Sequence, residues 1–146
     1  MKYSSFLLII IFFLVGCESK YTDISFSKEY SKIVGNKYRV KGELMLHGLT
    51  LGKNYGEKID IYSVTESPGF SGPEVINRKT LSAGSVIEVI GARRCDNCFP
   101  SQVEFNIKLM SKNLTPEAPI WLADYSVSDG KESRELDLNK FIKIEN

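Results

Sequence analysis

The chain predicts a mainly β fold, a small antiparallel barrel or sandwich, on three observations. Val103, Phe105, Ile107 and Leu109 alternate with Gln102, Glu104, Asn106 and Lys108, the period of a half-buried strand. The run Val86 to Ile90 is rich in β-branched residues and is bounded by Gly84 and Gly91. Turn-forming residues recur between the apolar runs, most densely in Ser67-Pro68-Gly69-Phe70-Ser71-Gly72-Pro73.

The first element is not part of that fold. Lys2 and the terminal amine precede an apolar run from Phe6 to Val15. This run is well short of the roughly 20 residues that a spanning helix needs and suits the core of a signal peptide. Small Gly16 then opens the backbone to a peptidase. The organisation expected is a cleaved signal over residues 1–16, a short polar tether over 17–22, and one β-rich domain over 23–146. No repeat or low-complexity tract divides the domain, which has the usual size for a single core.

Within the domain, Phe26, Tyr30, Ile33 and Val34 fall at helical spacing. Asp23, Ser25 and Ser27 can cap this run and Gly35-Asn36 can stop it, so one short N-terminal helix is expected. From Tyr38 the period becomes two, through Val40 and Gly42, and Leu44-Met45-Leu46 leads toward a turn at Gly48. Ile59, Ile61 and Ser63 lie on one face of the next strand, with Tyr62 and Val64 on the other. The Val86–Ile90 and Val103–Leu109 strands follow. Pro116 and Pro119 break the chain before Ile120-Trp121-Leu122, and Asp129-Gly130 marks a hairpin turn. Leu136-Asp137-Leu138 and Phe141-Ile142-Lys143-Ile144 complete the sheet. Trp121 and Tyr125, four residues apart in a strand, are expected on one core-facing side.

Two stretches resemble known families. Leu14-Val15-Gly16-Cys17 resembles the lipobox of bacterial lipoproteins. The resemblance implies that the Cys17 thiol receives a diacylglyceryl group, that cleavage leaves Cys17 as the first residue, and that its amine is then acylated. A thiol suits this role because sulfur is the strongest side-chain nucleophile near neutral pH, and two acyl chains suffice for stable anchoring. Glu18 is not the Asp that holds such proteins at the inner membrane of Gram-negative cells, so the periplasmic face of the outer membrane is the expected location. Leu81-Ser82-Ala83-Gly84-Ser85-Val86-Ile87-Glu88-Val89-Ile90 is similar to a stretch common in bacterial SH3-like barrels, which makes that topology the favoured form of the β fold.

Charge and cysteines bound the function. The 19 basic and 18 acidic residues nearly cancel, and loss of Lys2 with the signal brings the two signs into balance. A nucleic-acid partner, which requires a basic excess, is not expected. Beyond Cys17 only Cys95 and Cys98 remain. In an oxidising compartment the default for this pair is a disulfide that pins the corner of a hairpin. Zinc needs about four ligands and His47 is the sole histidine, so neither metal nor cofactor is expected. A thioredoxin-like pair should open a helix, whereas Phe99-Pro100 and a strand follow here.

No motif of a hydrolase or nucleotide-binding enzyme occurs, and His47 beside Gly48 reads as a locally bonded turn histidine. Two partner-binding candidates remain. One is the loop Ser67–Glu74, with Pro68 and Gly69 shaping it and Phe70 at its tip, against the plainer reading of a crossover with Phe70 folded onto the core. The other is Arg93-Arg94, able to meet an anionic group, against solvated charges flanking a hairpin. Asn113-Leu114-Thr115 matches a glycosylation sequon that a bacterial envelope does not generally use. The function expected is a non-enzymatic, lipid-anchored envelope protein that binds a protein or cell-wall partner. Inhibition of a toxin or lytic enzyme, as an immunity protein, is the alternative. Redox chemistry at Cys95 and Cys98 is third.

Overall fold

The computed structural model describes residues 19–52, 55–110, 116–123, 125–128 and 133–145. The signal segment, Cys17, Glu18, Asn113-Leu114-Thr115 and the Asp129-Gly130 turn lie outside the described residues. Eleven strands run β1 Tyr21–Asp23, β2 Lys37–Val40, β3 Leu44–Leu49, β4 Ile61–Glu66, β5 Val75–Leu81, β6 Val86–Cys95, β7 Gln102–Leu109, β8 Ile120–Ala123, β9 Ser126–Ser128, β10 Arg134–Leu136 and β11 Phe141–Ile144. The fold is mainly β, as the alternation predicts. No helix among the described residues is long and apolar enough to cross a membrane.

One sheet carries the order β11-β2-β6-β7-β8-β4-β3-β5, with β1 paired to β6 beside β2; β9 and β10 form a separate ribbon. The path has two ends and does not close among the described residues, so the expected closed SH3-like barrel is replaced by an open sheet. The parallel pairing of β8 with β4 places β8 inside the sheet, and the two ends of the path, β11 and β5, are not paired with each other. The β5 edge carries Arg78 and Lys79, charges that discourage pairing with another chain.

The core follows from the period of two. Val103, Phe105, Ile107 and Leu109 of β7 are buried, as are Ile87 and Val89 of β6, Ile120 and Leu122 of β8, Tyr62 and Val64 of β4, and Leu44 and Leu46 of β3. Tyr38, Val40, Leu136 and Phe141 close it from the other half, with Tyr125 meeting Phe141 edge-on.

β6 organises everything near the candidate site. Val89 faces Ile107 and Gly91 faces Asn106, so Ile90 is an extra residue, a β-bulge. The bulge switches the buried set from Ile87 and Val89 to Ala92, which is why alternation seemed to end at Ile90 although the strand continues to Cys95. β1 and β2 lie in line along the same edge of β6. Tyr21–Asp23 pairs with Cys95–Arg93, and Lys37–Arg39 pairs with Glu88–Val86. Tyr21 and Thr22, expected in the tether, are therefore part of the sheet.

Between β1 and β2 the chain makes an excursion, and here the expected helix is absent. Residues 25–35 form successive turns, with N–H groups of Ser27, Tyr30 and Ile33 each donating to the carbonyl three residues back. Ser25 and Ser31 hydroxyls bond backbone carbonyls, a competition that disfavours regular helix. Both ends of the excursion are also pinned to β6, at Ala92 by Ile24 and at Val89 by Gly35. Tyr30 and Ile33 still enter the core, but Phe26 is almost fully exposed, at 97%.

Candidate functional site

The outer face of β1, β6, β7 and β8 carries a row of side chains on the side opposite Ala92, Phe105 and Leu122. Arg93 lies at its centre. Its Nε and NH2 groups meet Glu104 Oε2 on β7 at 2.7 and 2.6 Å. Its guanidinium carbon sits 3.9 Å from the Tyr21 ring centroid on β1 and 3.5 Å from the Trp121 ring centroid on β8. A planar guanidinium can stack on both rings and fork onto a carboxylate at once, which an ammonium cannot. Arg93 thus ties four strands together. Arg94 is different: half exposed, with only a 3.6 Å pairing to Asp96.

Trp121 is the residue that strand counting misplaced. Ile120 and Leu122 fill the core, so Trp121 between them points outward. Tyr125 lies beyond the end of β8, so the period of two does not carry to it.

Beside this row the bulge opens a groove of about 350 Å³, walled by Tyr21, Asp23, Ser25, Arg93, Asn106 and Trp121, with Ile90 and Gly91 at its floor. A second hollow of about 390 Å³ shares Ile90 and Asn106 and runs on to Pro116, Pro119 and Leu109. Ile90 is half exposed between the two. Asp23 is held in an Asx turn by the Ser25 N–H at 2.8 Å, and the Ser25 hydroxyl together with that N–H keeps its carboxyl below the usual range. The groove therefore offers the apolar Ile90, two aromatic rings, a guanidinium, a carboxylate and an amide.

The Ser67–Glu74 loop is a crossover. β4 and β5 flank β3 and both run antiparallel to it, so the loop must travel the length of β3. It crosses over His47, whose ring stacks on Phe70 with centroids 4.5 Å apart. Phe70 is thus folded back, although 37% exposed, and Pro68 and Gly69 remain on the surface. Gly69 has φ +74 and lies so close that an added Cβ would strike His47 Nε2. His47 itself is in the interior of β3 and fully buried, not in a turn. Gly48 is likewise in the strand, where a Cβ would come within 2.8 Å of both Asn77 Oδ1 and Ile59 Cδ1. His47 Nε2 is 3.1 Å from Thr65 Oγ1, while Nδ1 has no hydrogen-bond partner among the described residues. Burial, with the Arg78 charge nearby, pushes its pKa below the ordinary value.

Cys95 ends β6 and pairs with Gln102 of β7, and its Cα lies 5.4 Å from that of Cys98, at disulfide distance. The pair closes the β6–β7 corner that alternation had placed there. Among the described residues no cluster of three His, Cys, Asp or Glu side chains could hold a metal ion.

The fold and this groove define a mainly β protein, built on one large open sheet, with a surface cleft on the outer face of that sheet. Compared with protein-family models, curated proteins and solved structures, the chain finds no match in any of the three. The β5 strand, the β1 pairing and the Arg93 stack escaped sequence reasoning. An Arg at the eighth position of β6 with an acid opposite was the one available signal, and it needs the register to be known.

Proposed function

We propose that this chain is a lipid-anchored protein of the bacterial envelope whose β domain acts without catalysis, by binding a protein or cell-wall partner. The observation that carries the anchor is Leu14-Val15-Gly16-Cys17 at the end of the apolar run Phe6 to Val15. Acylation of Cys17 holds the chain at the membrane, on the periplasmic face of the outer membrane in a Gram-negative cell. The groove at the Ile90 bulge supports the binding role. Its lining, apolar Ile90 beside two aromatic rings and a few polar groups, is the composition of recognition sites. His47 is sealed beneath Phe70 and lines neither hollow, so this reading assigns the groove to binding and uses no general base.

Two measurements test the reading. Labelled palmitate should be incorporated by the wild type and not by Cys17→Ser, which should accumulate as an uncleaved precursor; equal labelling of the two overturns the anchor. Crosslinking the native protein in cells should capture a partner that Ile90→Glu loses while melting unchanged, since Ile90 is half exposed. Capture unaffected by Ile90→Glu, and by Asn106→Arg, removes the groove from the binding role.

A further inference from the structure

The antiparallel pairing of β1 with β6 sets where the chain's upstream end leaves the domain. Moving back from Tyr21 along β1 is moving forward along β6 past Cys95, because Tyr21 faces Cys95 and Asp23 faces Arg93. The strand direction continues one residue beyond β1. Lys20 accepts the Asp96 N–H at its carbonyl, 2.8 Å, and donates its own N–H to Asn97 Oδ1, 2.8 Å. Thr22 Oγ1 adds a bond to Asp96 Oδ2 at 2.5 Å. The upstream chain thus departs alongside the Cys95–Cys98 corner.

Cys17 is three residues before Lys20. A fully extended chain covers at most about 3.6 Å per residue, so Cys17 stays within about 11 Å of the corner. That corner carries Phe99, whose side chain is fully exposed at 102% and makes no aromatic contact among the described residues. The Cys95–Cys98 pair and the two Lys20 hydrogen bonds hold the corner in place on either side of the departing chain. Lys20 and Arg94 beside it outnumber the carboxylate of Asp96, so charge does not repel an anionic surface there. The apolar ring is the distinguishing feature.

Resting on the anchor at Cys17, we propose that the β6–β7 corner docks on the same bilayer, with Phe99 entering the interfacial layer. Aromatic rings favour that layer, and the headgroup region is several ångströms deep, comparable to the reach of the tether. Two contacts on one end, the acyl chains and Phe99, set the orientation of the sheet and turn the far end of the β6–β7 pair away from the membrane. Met110 marks that far end, just past Leu109, and is 42% exposed.

The test uses the full-length lipidated protein in phosphatidylethanolamine–phosphatidylglycerol vesicles, with bromine on the lipid acyl chains. Trp121 is the only tryptophan and supplies the baseline. Phe99→Trp and Met110→Trp each add one emitter at an exposed position. The expected result is that bromolipid quenches the added emission of Phe99→Trp at least about twofold more than that of Met110→Trp. Equal quenching of the two, in protein that still floats with the vesicles, overturns the docking and leaves the anchor intact. Protein that carries no acyl group and does not float overturns both. A photoreactive phenylalanine at position 99 should crosslink to lipid in cells; a protein adduct in its place overturns bilayer docking in favour of a partner contact.

Discussion

The guanidinium of Arg93 lies 3.5 Å from the ring of Trp121, two strands away, with Glu104 on the strand between them closing the contact. Three strands are joined by one side chain, and Tyr21 extends the link to β1 at 3.9 Å. Both charged partners are about one-quarter exposed, which places the pair between a screened surface bridge and a buried one.

Arg93→Lys should therefore destabilise the protein by about 1 kcal/mol, because Lys keeps the charge but loses the fork and the ring stacking. A double-mutant cycle of Arg93→Lys with Trp121→Leu, followed by chemical denaturation, should show coupling of about 0.5–1 kcal/mol. Strict additivity would mean that the stack contributes nothing.

Gly69→Ala should lower stability by about 1–3 kcal/mol. A side chain at φ +74 is strained, and the new Cβ must displace His47. Gly84→Ala is the matched control, since φ is +86 there and nothing lies within 4 Å of the added atom. A Gly69→Ala loss no larger than the Gly84→Ala loss would show that the crossover does not press on His47.

Buried His47 makes stability depend on pH in a defined direction. The unfolded imidazole binds its proton near 6.5 and the folded one only at lower pH. Between those values the unfolded state holds more protons, so this contribution is fully present above 6.5 and is lost as pH falls toward the folded pKa. For one proton the slope cannot exceed about 1.4 kcal/mol per pH unit. Melting curves between pH 7 and 5 should fall more steeply for the wild type than for His47→Gln, and parallel curves would remove His47 as the cause.

Removing the β6–β7 link should loosen the corner without touching the groove. Cys95→Ala with Cys98→Ser should cost about 2 kcal/mol, less than a fifteen-residue loop would, and lower the melting temperature by several degrees. Free thiols in the oxidised wild type would rule out the bond. An unchanged melting temperature together with lost partner capture would assign the pair a chemical role.

Local chemistry determined a good deal of this protein. The alternation of Val103 to Leu109, the Cys95–Cys98 corner and the turn chemistry of Ser67–Pro73 all depend on near neighbours in the chain, where period and residue type suffice. Tertiary structure decided the rest. Ile90 is an extra residue only relative to Ile107 and Asn106 on another strand, so the bulge that hides half of β6 and opens the groove has no signal of its own. Tyr30 and Ile33 kept the apolar spacing of a helix, but pinning at Ala92 and Val89 bent their segment into turns. Tyr21 became a strand because Cys95 offered it an edge, and Trp121 faced outward, onto Arg93, because Ile120 and Leu122 on either side of it took the core face. Each of these outcomes depends on the register between distant segments, and a one-residue change of register moves a side chain to the opposite face.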